Sequence, residues 1–261
     1  MKYVLTIAGS DSGGGAGIQA DIKTITTLGF HALTAITAVT AQNSIGVSGV
    51  HEVPVEFISM QIETVVKDIL PDSIKIGMLS SARVIETVAG IITKYRLKHI
   101  VIDPVMKATT GQDLMDAAAV TLLKDALLPL ADVITPNLHE AEVLTGWKVT
   151  NPVEMKEAAK ELKKLGPDVI ITGGHLKGMC MDLLYDGNNV YLFHDERIDT
   201  KNTHGTGCVF SSSLACFLAK GNNIVEAAGL AHEFTRCAIE NSYACGRGAG
   251  PVSPTILNSR P

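Results

Sequence analysis

Between Thr203 and Ser213 the chain reads Thr-His-Gly-Thr-Gly-Cys-Val-Phe-Ser-Ser-Ser. Gly205 and Gly207 permit positive φ and a close approach of backbone to a ligand. Beyond them Phe210, Leu214, Phe217 and Leu218 recur at helical spacing, which predicts a buried helix starting near Gly207. A glycine turn feeding a helix N-terminus aims unpaired N–H groups and the positive end of the helix dipole at one spot. Gly205, Thr206 and Gly207 therefore make a candidate phosphate or oxyanion site. Cys208 falls in the first turn, where the same field favours thiolate over thiol. Taken alone, a G-x-G-C stretch fits a tight turn with a structural cysteine better, so the rest of the chain has to decide.

A second glycine-rich run, Gly9 to Gly17, follows a short apolar segment. It is not a dinucleotide fingerprint, because G-x-G-x-x-G would need glycine at Ile18, and no G-x-x-x-x-G-K-[ST] exists in the chain. Its backbone is suited to lie close to a small ligand. Asn137 followed by Glu140 matches a helix capping box. His175 and His204 stand beside glycines, where a lone histidine is more often structural, and neither is assigned a role.

The elements that must position these residues alternate. Strands are expected at Tyr3–Ala8, within His31–Gln42, and at Ser73–Gly77, His99–Ile102, Val133–Thr135 and Val169–Thr172. Helices are expected at about 18–28, 54–70, 80–95, 116–128, 138–144, 152–165, 207–220 and 224–240. The strand runs are continuously apolar, as when both faces are buried. Met181–Tyr185 and Val190–Phe193, joined across Asp186-Gly187-Asn188-Asn189, predict an antiparallel hairpin at the sheet edge. The pattern is an α/β fold, a doubly wound and mostly parallel sheet with helices on both faces, in one domain over residues 1–261. Ligands of such sheets sit beyond the carboxyl ends of the strands. That rim would gather Gly9–Gly17, Gln42, Met78, Asp103, Asn137 and Gly173-Gly174, facing the turn at Gly205–Cys208.

A formal charge of −5 argues against a nucleic-acid or anionic-membrane surface. The opening apolar run is too short for a signal peptide, and Val209–Ala219 is too short to span a bilayer. The five cysteines are an odd number without a C-x-x-C pair, which fits reduced thiols in the cytoplasm.

In series, several stretches resemble the hydroxymethylpyrimidine/phosphomethylpyrimidine kinases of thiamine biosynthesis, a branch of the ribokinase-like superfamily. They are Gly9–Asp21, Thr37–Asn43, Lys75-Ile76-Gly77-Met78-Leu79, Ile102-Asp103-Pro104-Val105-Met106, Thr135–Glu142 and His204–Cys208. The resemblance spans nearly the whole chain in the family's order. It implies a ribokinase-like fold and transfer of the γ-phosphoryl group of ATP to 4-amino-5-hydroxymethyl-2-methylpyrimidine. A second transfer then converts the monophosphate to the diphosphate. It also implies Cys208 as catalytic base, Gly205, Thr206 and Gly207 as anion hole, and a pyrimidine pocket of Gln42, Asp21, Met78, Gly9, Ala16 and Val105. The Gln42 amide offers one donor and one acceptor, which suits the ring nitrogen and amine of an aminopyrimidine. Asn137, Glu140 and Asp103 would attend ATP, with Glu140 and Asp103 holding magnesium through water. A homodimer is implied as well, and potassium activation is left open. Thr172 departs from the lysine that many members of this branch carry, and pyridoxine-type kinases often resemble this version. A vitamin B6 kinase is therefore the alternative. A non-catalytic pyrimidine-binding regulator would be expected to lose the anion hole, the cysteine or the Asn-x-x-Glu pair, and all three are present.

Overall fold

Central strands buried on both faces build the molecule. In a computed structural model of the chain, which describes residues 1–107, 111–174, 176, 178 and 180–255, β1 (Tyr3–Ser10) runs through the middle of a nine-stranded sheet. Leu5 and Ile7 of β1 face one helical layer while Val4 faces the other, as the two-residue period of a strand dictates. The remaining strands are β2 (His31–Asn43), β3 (Gly46–Glu52), β4 (Ser73–Ile76), β5 (Ile100–Ile102), β6 (Val133–Ile134), β7 (Asp168–Ile171), β8 (Cys180–Tyr185) and β9 (Val190–Asp195). Their order is β3-β2-β1-β4-β5-β6-β7-β8-β9. β2, β1, β4, β5, β6 and β7 pair in parallel, and β3, β8 and β9 are antiparallel additions.

Helices cover both faces. α2 (Val55–Asp68), α3 (Ala82–Tyr95), α4 (Ala117–Leu122), α5 (Leu138–Thr145) and α6 (Pro152–Lys163) pack over Leu5, Ile76 and Ile102. α1 (Gly17–Thr27), α7 (Thr206–Lys220) and α8 (Ile224–Glu240) pack over Val4, Val101, Val133 and Ile170. The doubly wound, mostly parallel arrangement matches the sequence pattern, and the edge hairpin is β8–β9.

Two features differ from the sequence reading. The segment after Asn43 turns back as β3, so the opposite edge of the sheet is antiparallel too. Gly46, Ser48 and Gly49 give that strand little intrinsic preference and no buried face, so only pairing with β2 fixes it. The helix expected at 116–128 is shorter. Asp116 caps it by accepting from the Ala119 N–H at 2.8 Å, and after Leu122 the backbone widens into a π turn over Leu123–Leu127. Among the described residues no helix is long and apolar enough to cross a membrane.

Candidate active site

The carboxyl ends of β1, β2, β4, β5, β6 and β7 and the start of α7 enclose a cleft of about 1580 Å³. Its middle is the turn into α7. Gly205 has φ +84°, and a Cβ there would collide with the Gly15 carbonyl, so both conformation and space require glycine. No side chain caps α7, which leaves its positive end facing the cleft. The position a Cβ would take at Gly207 lies 3.5 Å from Asp103 Oδ2, so the helix start and the end of β5 face each other. Ser211 fixes that approach by donating to Asp103 Oδ2 at 3.2 Å.

Cys208 is half-buried beside this turn. Contrary to the expectation from the helix dipole, its thiol is pushed up to about 12. Burial is the largest cause, and the carboxylates of Asp21 and Asp103 add to it. The Lys75 ammonium and a hydrogen bond from the Gly17 N–H pull the other way without winning. The resting residue is therefore a thiol. Cys208 should still be alkylated faster than Cys216, which is fully buried, and its rate should climb with pH well into the alkaline range. Equal alkylation rates at the two cysteines, read by mass spectrometry, would sink this placement.

The floor beneath is a buried ion pair that sequence reasoning missed. Lys75 Nζ bonds both carboxylate oxygens of Asp21 at 2.9 Å, and neither side chain is exposed. Asp21 also accepts from Thr6 Oγ1 at 2.6 Å and Ser212 Oγ at 2.7 Å. Asp21 is thus corrected from a pocket residue to a counter-charge under the floor: its oxygens are used by β1, β4 and α7, and it does not line the cleft. Lys75 does line it. A Cβ at Gly77 would stand 2.8 Å from the ammonium, which explains the glycine there.

At one end of the cleft Gln42, Met78, Gly9, Ala16 and Val105 come together as expected. The Met78 sulfur fills the space that a side chain at Gly9 would need, 3.0 Å from its Cβ position. Asp11, which the sequence reading also passed over, ties the glycine loop: its carboxylate accepts from the N–H groups of Gly13, Gly15 and Ala16 at 2.8–3.0 Å. His204 Nε2 lies 2.9 Å from Asp11 Oδ2 and joins that staple. Burial favours the protonated acid, but the bonds from His204, Gly13 and Ala16 outweigh it and hold Asp11 below the usual carboxylate range. An Asp followed by six small residues was the available signal for an Asx-type turn. The Gln42 amide makes only long contacts, 3.3 Å from Thr40 Oγ1 and 3.5 Å from His204 Nε2.

At the other end the Asn137 side chain accepts from the Glu140 N–H at 3.0 Å and Glu140 Oε2 accepts from the Asn137 N–H at 2.9 Å. The capping box is therefore real. Glu140 and Asp103 are nonetheless both buried in the cleft wall. Burial raises Glu140 to about 8, and repulsion by Asp103 adds to the rise. Burial raises Asp103 to about 6 against the pull of Lys75 and Ser211. Among the described residues no group of three or more His, Cys, Asp or Glu forms a metal cage. Two hard carboxylates that resist ionising together suit a hydrated divalent cation that completes its shell with water and phosphate oxygens. Thr172 lines the cleft beside Asn137, held by the bond from its N–H to the Pro136 carbonyl at 2.9 Å. His175 lies outside the described residues.

Residues 11–253 match the family model described as phosphomethylpyrimidine kinase. The chain is 47% identical over 252 residues to the hydroxymethylpyrimidine/phosphomethylpyrimidine kinase of Bacillus subtilis, covering 95% of this chain and 93% of that protein. It is 49% identical over 252 residues to a thiamine biosynthesis bifunctional protein of Geobacter sulfurreducens, covering 96% of this chain but only 51% of that longer protein. Among solved structures, an ADP complex of Bacillus subtilis pyridoxal kinase superposes with a TM-score of 0.92 at 40% identity, covering 98% of both chains.

Proposed function

The chain belongs to the phosphomethylpyrimidine kinase family, and on that premise we propose how its cleft works as a single-domain kinase of thiamine biosynthesis. The reaction is ATP-dependent phosphorylation of 4-amino-5-hydroxymethyl-2-methylpyrimidine and then of its monophosphate. One observation carries the reading: the uncapped start of α7 lies against Asp103, and Glu140 and Gln42 line the same cleft.

Phosphoryl transfer asks mainly for positioning and charge stabilisation. Backbone N–H groups at Gly205 and Gly207 hold the γ-phosphoryl oxygens, joined by that of Thr206 once it leaves the Thr203 carbonyl 3.3 Å away, and a comparable preorganised donor is worth roughly 3–4 kcal/mol. Gln42, Met78, Gly9, Ala16 and Val105 hold the pyrimidine so that its hydroxymethyl oxygen faces Cys208. Cys208 can accept the hydroxyl proton only as the thiolate, so its own proton first leaves to solvent, a loss that burial opposes and the Lys75 ammonium favours. Asn137, Glu140 and Asp103 face the polyphosphate, where magnesium, when bound, neutralises developing charge on the phosphate oxygens. Exposed Val39, Ile45 and Val50 on the β2–β3 hairpin support a homodimer, and the reduced thiols support a cytoplasmic setting.

Coupled ADP-release assays with the pyrimidine, its monophosphate and pyridoxal as separate acceptors, with and without potassium, test the reading. Pyridoxal has no paired donor–acceptor edge for the Gln42 amide, and an unpaired amide in a desolvated pocket costs roughly 1–3 kcal/mol. The pyrimidine should lead by about ten- to a hundredfold in kcat/KM. Gln42→Leu should narrow that gap, mainly by weakening the pyrimidine. A wild-type preference for pyridoxal would transfer the reading to vitamin B6, which the pyridoxal kinase likeness keeps as the second one.

The metal reading is tested at Glu140. Glutamine at this position preserves the capping box, so Glu140→Gln should melt near the wild-type temperature while needing several times more magnesium for half-maximal rate. An unchanged magnesium requirement would reduce Asn137 and Glu140 to a helix cap.

A further inference from the structure

At the β7–β9 end of the cleft a second cluster of charged groups plays no part in the chemistry above. His232 of α8 sits between two carboxylates, Nδ1 2.7 Å from Asp182 Oδ2 on β8 and Nε2 3.0 Å from Asp195 Oδ2 on β9. All three line the cleft. An imidazole that donates from both nitrogens is the imidazolium form. The ring also packs on Phe193, with centroids 6.0 Å apart. The other oxygen of Asp182 accepts the Gly173 N–H at 3.0 Å. Gly173 follows Thr172 at the carboxyl end of β7, and a Cβ there would collide with the Met181 carbonyl, so this turn has one way to pack. Arg197 anchors its next residues, donating to the Gly174 carbonyl at 2.9 Å and the Leu176 carbonyl at 2.6 Å.

We propose that His232 is a positioning residue for the phosphoryl donor: as a cationic bridge between Asp182 and Asp195 it ties α8 to the edge hairpin and, through Asp182, fixes the β7 turn at Gly173. This rests on the kinase reading, which puts the polyphosphate on the Asn137, Glu140 and Thr172 side of Cys208. Asp182 of β8 and Asp195 of β9 bond His232 directly, and the other charged or titratable groups lining the cleft from these elements are Cys180 of β8, Glu196 and Arg197 just beyond β9, and Arg236 one turn along α8. Arg236 lies 3.5 Å from Asp195 and is itself tied to Glu240 at 3.1 Å. Burial disfavours the imidazolium, but the bonds and charges of Asp182 and Asp195 outweigh it and raise the His232 pKa. The bridge is therefore intact below the ordinary histidine range and lost as pH rises through the raised value.

ADP affinity measured by calorimetry separates this from a general structural role. His232→Gln keeps one hydrogen bond and removes the charge; ADP should bind about five- to thirtyfold more weakly at neutral pH, with the KM for the pyrimidine unchanged. In the wild type ADP affinity should fall on the alkaline side. His232→Lys keeps a cation between the carboxylates and should recover most of the affinity while flattening that fall. The inference is overturned if His232→Gln binds ADP like the wild type, or if it weakens ADP and pyrimidine equally. It is also overturned if His232→Lys melts like the wild type without regaining affinity. A wild type that binds no ADP would remove the kinase reading together with this one, whereas normal ADP binding by both proteins removes this inference alone.

Discussion

Cys208→Ala should lower kcat by about 10²–10⁴-fold, the usual worth of a positioned proton acceptor, while the KM values for pyrimidine and ATP change far less. The variant leaves the backbone N–H groups of Gly205, Thr206 and Gly207 in place, and alanine fits where the half-buried thiol stood. What it removes acts in the transition state, and such a loss appears in kcat. Because burial holds the thiol high, at about 12, the accepting thiolate is a small fraction that grows with pH, so the wild-type rate should climb between pH 6 and 9 with no plateau from this group. The Cys208–Lys75 relation sharpens this: Lys75 is a major influence lowering the thiol's proton affinity. Turnover by Cys208→Ala at near the wild-type rate would show that the hydroxyl proton leaves by another route and that the cysteine is packing.

Lys75→Met should destabilise the fold by about 3–5 kcal/mol, the cost of stranding one half of a buried ion pair. Asp21 would keep only the hydroxyls of Thr6 and Ser212 as hydrogen-bond donors in a site with no solvent exposure. For a chain of this length the melting temperature should drop by roughly 6–20 °C. Adding Asp21→Asn should restore a good part of the loss, because both charges are then gone, and the double-mutant cycle measures the coupling. A Lys75→Met protein that melts within a degree or two of wild type would contradict the burial of the pair. The pair also matters for chemistry. It holds a cation under Cys208 and Asp103 with its charge balanced by Asp21 from β1, β4, α1 and α7 together, so the site keeps its electrostatics without exposing the ammonium to water.

The sequence by itself determined the elements and much of the rim. Continuous apolar strands such as Val169–Thr172 have one stable use, between two helical layers, and their carboxyl ends are then the open edge. Gly205 was legible because positive φ and close approach are properties of glycine alone, and Asn137-x-x-Glu140 because a capping box is local. Tertiary structure decided what depended on long-range proximity. Asp21 and Lys75, 54 residues apart in sequence, carry no mark of being partners until α1 closes over β4. The family resemblance put Asp21 in the pyrimidine pocket, whereas its carboxylate lies beneath the floor on Lys75. The strand β3 exists only because β2 is there to pair with it. The state of Cys208 shows the difference most plainly. The helix start that lowers a thiol pKa is written in the sequence, but the burial and neighbouring carboxylates that raise it come from Asp21 and Asp103 on other elements. Desolvation grows with everything packed around a group, whereas the dipole of one helix end stays the same.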